Sequence, residues 1–127
     1  MAVTETTIQD GDRIAIMRFT NDGDAEAAVT KVDVSALSAN ADGAACTSAD
    51  IDRITYSITD GDVSILFDAT TDVEAISLPQ NHSGRLCFRE FGGLTNNAGS
   101  GVTGDIQFTC ASNTHYMIVL TLKKSYG

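Results

Sequence analysis

The fold is most clearly indicated by residues 116–122, which read Tyr-Met-Ile-Val-Leu-Thr-Leu. Every second residue, from Tyr116 to Leu122, is large and apolar, which is the two-residue period of a β-strand. The intervening residues, Met117, Val119 and Thr121, form a second face that is also fairly apolar. Such a strand is typical of the centre of a sheet, or of a sheet whose outer face a partner covers.

Working outward, other short stretches carry the same strand signals, with turn residues between them at roughly the 8–12-residue spacing of sandwiches and barrels. They are residues 4–9, 13–20, 28–34, 54–58, 63–68, 73–78, 84–91 and 106–110. One helical turn is predicted at residues 35–40. The sequence therefore predicts an all-β, single-domain antiparallel β-sandwich over residues 1–127, jelly-roll-like or immunoglobulin-like, with eight or nine short strands and long loops.

Asp-Gly pairs provide many of the expected corners, because glycine adopts positive φ freely and aspartate tolerates it. Residues 8–12 read Ile-Gln-Asp-Gly-Asp and residues 58–62 read Ile-Thr-Asp-Gly-Asp. Because each is followed by an apolar stretch, we expect two similar hairpins.

The charge balance excludes several classes of partner. The chain has 17 acidic against eight Lys and Arg residues, a formal net charge of −9, and the basic residues are scattered. Nucleic-acid binding normally needs a basic stripe, so we expect no nucleic acid and no anionic membrane as partners. The first residues lack the pattern of a secretory leader, and no apolar run approaches the ~18 residues of a membrane span. We expect synthesis in the cytoplasm without general secretion.

Catalytic and metal-binding patterns are not recognised. The three cysteines, Cys46, Cys87 and Cys110, lack metal-site spacing and are expected to be reduced thiols. His82 and His115, the two histidines, lie outside any nucleophile or Cys-His signature. We therefore expect no enzyme, no catalytic residues, no cofactor and no metal. Residues 21–26, Asn-Asp-Gly-Asp-Ala-Glu, offer oxygen donors for calcium but do not fit the EF-hand spacing.

Two loops are predicted contact surfaces, because long loops in a compact domain are usually functional or mobile and rigid scaffolds often carry binding sites on loops. One spans residues 91–105 and is rich in glycine and asparagine, and the other spans residues 38–50. Deleting residues 96–101 is expected to weaken attachment without unfolding the domain. The candidate partner-contact residues are Leu94, Asn96, Asn97, Ser100, Val102, Ser38, Asn40 and Thr47.

Three segments resemble small virion structural proteins of tailed bacteriophages, of the marine and cyanophage type. They are residues 28–37, 91–99 and 101–109, and the ending Lys-Lys-Ser-Tyr at 123–126 is similar too. The resemblance covers nearly the whole chain and implies no catalytic residues. By analogy it implies a head decoration, or cement, protein that bridges neighbouring major capsid proteins and stabilises the head. The implied partners are the major capsid protein and copies of itself, in virions assembled in the host cytoplasm.

Two alternatives remain open at the level of sequence. A tail-tube or neck structural protein would also be β-rich, although no strand pair here is long enough to be an obvious ring-forming hairpin. A cytoplasmic calcium- or carbohydrate-binding module is motivated by the acidic turn at residues 21–26.

Overall fold

The computed structural model of this chain describes residues 3–89, 93–96 and 98–126. They form nine strands and a single turn of 3-10 helix, Val34–Ala36. The strands are β1 (Val3–Asp10), β2 (Ile14–Asp22), β3 (Glu26–Val32), β4 (Cys46–Thr59), β5 (Val63–Phe67), β6 (Val73–Leu78), β7 (His82–Cys87), β8 (Ile106–Cys110) and β9 (His115–Tyr126). No helix in these ranges is long and apolar enough to cross a membrane.

The strands form two antiparallel sheets, which confirms the predicted β-sandwich. Sheet A has the order β1-β2-β9-β4-β7, and sheet B has the order β3-β8-β5-β6. Apart from the β5–β6 hairpin, successive strands from β2 to β9 alternate between the sheets in the manner of a jelly roll, and β1 extends sheet A at one edge. The strand that the sequence marked most clearly, β9, is the central strand of sheet A.

The core lies between the sheets, where inward side chains of every second residue meet. Phe19 and Phe108 contact each other edge to face, with ring centroids 5.2 Å apart, and Tyr116 packs on Phe108 at 5.8 Å. Around them, Ile54, Ile118 and other aliphatic side chains are fully buried. By contrast, β1 lies at the open edge of sheet A, with seven of its eight residues exposed.

The structure differs from the prediction at β4, which begins at Cys46 and not at residue 54. The register shifts between Cys46 and Ser48 and again between Ile51 and Arg53. Each shift interrupts the in-out alternation, so the first half of the strand lacks the period-two signal. Likewise β7 ends at Cys87, whereas the strand was predicted to continue to residue 91, partly outside the described residues. The helical turn is shorter and earlier than predicted.

The two similar Asp-Gly segments have different structures. Residues 8–12 connect β1 to β2 within sheet A, as a hairpin. Residues 58–62 instead carry the chain from β4 in sheet A to β5 in sheet B. The predicted second hairpin is therefore wrong. A return strand cannot pair with β4, because β9 and β7 occupy both of its edges.

Candidate functional site

Both predicted contact loops lie at one end of the sandwich, which we call the loop end. It comprises residues 10–13, 38–48, 68–72, 93–96 and 98–105, from the β1–β2, β3–β4, β5–β6 and β7–β8 connections and the start of β4. The opposite, or turn, end carries residues 22–26, 59–62, 79–82 and 111–115. Because successive strands run in opposite directions along the sandwich, every second connection lies at the same end.

A buried lysine fastens one half of the loop end. The Lys124 side chain is fully buried, and its Nζ donates to Asp10 Oδ1 at 2.6 Å, the Gly11 carbonyl at 2.8 Å and the Ser38 carbonyl at 2.9 Å. The Ser38 amide donates to Asp10 Oδ2 at 2.7 Å. Two segments distant in sequence, residues 10–11 and Ser38, are thus tied to the end of β9.

The surroundings of Lys124 and Asp10 keep both side chains charged. Burial works to lower the pKa of Lys124, but the hydrogen bonds and charges of Asp10 and Tyr126 outweigh it and raise the pKa above its ordinary value. Burial works to raise the pKa of Asp10, but hydrogen bonds from Lys124 and Ser38 outweigh it and lower the pKa. Both groups are therefore ionised at neutral pH.

The segment after Ser38 is a tight turn organised by Asn40. Its side-chain Oδ1 accepts hydrogen bonds from the amides of Asp42 at 3.0 Å and Ala44 at 2.9 Å. Its main chain also pairs with Gly43 and Ala44. The predicted contact residue Asn40 is thus half-buried and shapes the loop, while Ser38 beside it is exposed.

The described part of the 91–105 loop is held against the body of the domain. Leu94 pairs through its main chain with Ile51, by bonds of 3.1 and 2.7 Å, and its side chain packs half-buried on the core. Asn96 Oδ1 accepts from the Ala98 amide at 3.0 Å, and Asn96 Nδ2 is buried without a hydrogen-bond partner. The predicted contact residue Asn97 lies outside the described residues.

The rest of this loop contacts the β5–β6 turn and leaves an exposed apolar side chain. Thr70 donates its amide to the Ser100 carbonyl at 3.1 Å, and Thr103 Oγ1 donates to Asp68 Oδ2 at 2.7 Å. Ser100 is exposed, and Val102 is 49% exposed. Of the predicted contact residues, Val102 combines the apolar surface and the exposure of a docking residue.

Gly104 joins this loop to β4. Its φ is +87°, and a Cβ built on it would run into the carbonyl of Thr47. Only glycine fits so close an approach at positive φ. The candidate contact residue Thr47 is exposed beside it, with its Oγ1 3.5 Å from the Ser125 carbonyl.

Three carboxylates stand side by side where sheet B meets the loop end, and we call them the acidic row. Asp33 follows β3, Asp105 precedes β8 and Asp68 follows β5, and these strands are neighbours in the sheet. Burial, together with the charges of Asp33 and Asp68, raises the pKa of Asp105 above its ordinary value. No described basic residue forms an ion pair with the acidic row.

At the turn end, the oxygen donors proposed for calcium do not converge on one point. Glu26 is buried and ion-paired with Lys31, and Tyr116 donates its hydroxyl to Glu26 Oε1 at 2.5 Å. Asn21 is also buried, and its side chain bonds the main chain of Asp24. Within the described ranges, no group of three or more His, Cys, Asp or Glu residues could hold a metal ion.

The histidines and cysteines are dispersed. His82 Nδ1 lies 3.0 Å from the Tyr56 hydroxyl, and His115 Nδ1 lies 3.0 Å from Asp22 Oδ1. Cys46 and Cys110 are buried free thiols, and burial raises the pKa of Cys110. A raised pKa disfavours the reactive thiolate.

Sequence reasoning missed the residues that organise the loop end. Lys124 was noted as half of a lysine pair but was not expected to be buried. The Asp52–Arg89 ion pair, at 3.0 Å, was also missed. One signal for Lys124 was available, because it continues the inward series Tyr116, Ile118, Leu120 and Leu122 of β9.

Comparisons with known proteins extend to architecture alone. No family model matches the sequence, and no curated protein matches it. Among solved structures, the chain is similar to a mutant of the family 29 carbohydrate-binding module CBM29-2, with 16% identity, TM-score 0.49, and coverage of 100% of this chain and 88% of that one. It is also similar to an RmlC-like cupin protein from Desulfovibrio desulfuricans, with 9% identity, TM-score 0.38, and coverage of 95% and 81%. At these values the similarity gives no information on ligand or activity.

Proposed function

We propose that this protein is a structural subunit of a tailed-phage virion, specifically a capsid decoration protein that contacts neighbouring subunits through the loop end. The observation that carries the proposal is the convergence of both long loops at one end of a rigid sandwich. Lys124 and Gly104 hold these loops in place. A pre-ordered surface of this kind binds without a large cost in loop entropy.

The chemistry of the loop end supports docking more than catalysis. Val102 offers exposed apolar surface, and Thr47 and Ser100 are exposed hydroxyl-bearing residues. A specific interface buries about 800 Å² per partner, which calls for contributions from several of the four connections at this end. Many copies on one shell add avidity to each weak contact.

The proposal is tested with heads assembled from the major capsid protein that the same genome must encode. Purified chain is mixed with these heads, and the bound copies are counted after sedimentation. We expect saturable binding at hundreds of copies per head. A count of about a dozen copies on intact virions would indicate the neck or tail instead, and absence of binding both to the heads and to intact virions would overturn the proposal.

Two matched variants locate the surface. Val102→Asp and Val29→Asp each place a charge at an exposed valine, 49% and 41% exposed, the first at the loop end and the second on β3. We expect Val102→Asp to weaken head binding about tenfold or more, and Val29→Asp to leave it unchanged. Equal binding by both variants, with unchanged melting temperatures, would contradict the loop end as the contact.

A further inference from the structure

The positive charge that is not buried in this acidic protein is concentrated on and beside one face. Of the eight Lys and Arg residues, Lys31 and Lys124 are buried in ion pairs. Four of the other six, Arg18, Arg53, Arg85 and Lys123, lie on the outer face of sheet A, as the register of β2, β9, β4 and β7 shows. Arg13 and Arg89 adjoin that face at its loop-end edge.

We call the surface around Arg18, Arg53 and Arg85 the arginine face. Arg18 and Arg85 are exposed, and neither forms an ion pair within the described ranges. The Nε atom of Arg53 is buried and has no hydrogen-bond partner. Three acids lie on or beside this outer face in the described residues, and each has a basic neighbour: Asp22 contacts His115, Asp50 is paired across strands with Lys123, and Asp52 is ion-paired with Arg89.

Apolar side chains lie between the arginines. Val119 is half-buried and is paired with Arg18 in the neighbouring strand. Met117, two residues away on the same face of β9, is 40% exposed. Arginine and methionine are enriched in protein interfaces, and arginine binds carboxylates through two parallel hydrogen bonds. The arginine face thus fits a protein surface that presents carboxylates.

A long polyanion is a poor occupant, because the rest of the chain, with its net charge of −9, would repel whatever extends beyond this face. A second copy of the chain supplies the matching group. The acidic row spans two strand spacings, from β3 to β5, and Arg18 and Arg53 also lie two strands apart, so both span about 10 Å across the strands.

We propose that the loop end of one copy docks its acidic row on the arginine face of the next copy. The contact is head-to-tail, because two arginine faces set against each other would oppose like charges. Head-to-tail contacts generate rings or open chains of subunits. The inference rests on the proposed function, since it names the neighbour that the loop end contacts.

Screening makes the contact feasible despite the net charge. At physiological salt the Debye length is about 8 Å, so the overall repulsion between copies is reduced while ion pairs in contact persist. Sheet A spans about 24 Å across its five strands and about 30 Å along the nine residues of β2, enough to seat the end of another sandwich.

The test uses sedimentation velocity of the purified full chain at physiological salt over a range of concentrations. A face variant carries Arg18→Gln and Arg85→Gln, and an end variant carries Asp33→Asn and Asp68→Asn. Asparagine retains the acceptor oxygen that caps the 3-10 turn at position 33. A control variant, Asp60→Asn with Asp62→Asn, makes the same charge change as the end variant, but at the turn end.

We expect the wild type and the control to self-associate, and the face and end variants to do so at least about tenfold more weakly. An equimolar mixture of face and end variants should form one-to-one dimers that grow no further, because each supplies the surface that the other lacks. A wild type monomeric up to about 1 mM, equal loss in the control, or no dimer in the mixture would overturn the inference.

Failure of this inference is distinguishable from failure of the proposed function. A chain that stays monomeric in solution and still binds capsid heads overturns the self-contact alone. A chain that self-associates as described but binds no virion assembly overturns the decoration role alone.

Discussion

The sandwich buries one lysine in its core and another at its loop end, and the two lysines have different roles. Lys31 lies in β3, and its ammonium group reaches Glu26 between the sheets, where the Tyr116 hydroxyl completes a network of buried side chains. Lys124 lies at the loop end, where most of its acceptors are the main chain and side chains of connecting segments. The first lysine stabilises the core, and the second lysine gives shape to a surface.

The exposure of the acidic partner indicates which of the two ion pairs can be lost without unfolding the domain. Glu26 and Lys31 have side-chain exposures of 4% and 3%, so neither can be hydrated when its partner is removed. Asp10 is 20% exposed, so water can replace part of what Lys124 supplies. Removing one partner of a buried pair is costly because the other charge is left without compensation.

The largest effect is expected for Glu26→Ala, which leaves the buried Lys31 ammonium group without a counter-ion. We expect the free energy of unfolding to fall by about 3–5 kcal/mol in urea denaturation. The double variant Glu26→Met with Lys31→Met should recover most of that loss, because apolar pairs of similar volume often replace buried ion pairs without cost. A free energy of unfolding for Glu26→Ala within about 1 kcal/mol of wild type would remove the distinction between the two lysines.

Lys124→Met should cost less, about 1.5–3 kcal/mol, because Asp10 regains water. Its effect should be concentrated in residues 38–45, measured as faster amide hydrogen exchange there than at the turn end. The neighbouring Lys123→Met is the matched control, since Lys123 is exposed, and it should change stability by less than about 0.5 kcal/mol. Uniformly faster exchange would show that Lys124 also serves the core.

Two tyrosine hydroxyls sharpen the comparison further. Tyr116→Phe removes the donor to Glu26 and should cost about 1–2 kcal/mol, because a charged acceptor stays buried. Tyr126→Phe removes a hydrogen bond of the same length, 2.5 Å, to the exposed carbonyl of Asp12. This change should lower the free energy of unfolding by about 0.5 kcal/mol. Thermal melts of both variants test the order, and equal costs would contradict the difference in burial.

The smallest effect is expected from pH. The pKa of Asp10 is lowered from 3.8, so its stabilising contribution is present above that pH and is lost as pH falls further. The pKa of Lys124 is raised from 10.5, so its contribution is present below that pH and is lost as pH rises further. The stability difference between wild type and Lys124→Met should therefore be constant between these values and shrink outside them. A difference that varies around neutral pH would contradict this assignment.

Most of the architecture was available from the sequence, because period-two alternation depends on local geometry alone. It located β9 and the other eight strands, and failed in the first half of β4, where two bulges break the alternation. The alternation also does not predict that residues 8–12 form a hairpin while residues 58–62 cross between the sheets. That outcome depends on which strand edges are already occupied, which is a property of the whole fold.

The candidate site was less predictable, since position along the chain does not reveal which side chains meet. Loop length and composition located the two loops but not their convergence at one end. Leu94 and Asn40 were predicted to contact partners, and in the described structure they organise their own loops. Lys124 was noticed only as part of the Lys-Lys pair at the end of the chain, although the alternation of β9 directs it inward.

Strand β1 has a consequence for how cooperatively the domain unfolds. It pairs with a single neighbour, β2, and seven of its eight residues are exposed, so its detachment uncovers little of the core. The jelly roll of β2 to β9 is therefore the cooperative unit of the domain, and β1 is a separable outer layer. Partial unfolding that begins at Val3 and stops before Asp10, the ion-pair partner of Lys124, leaves the loops, the arginine face and the central strands in place.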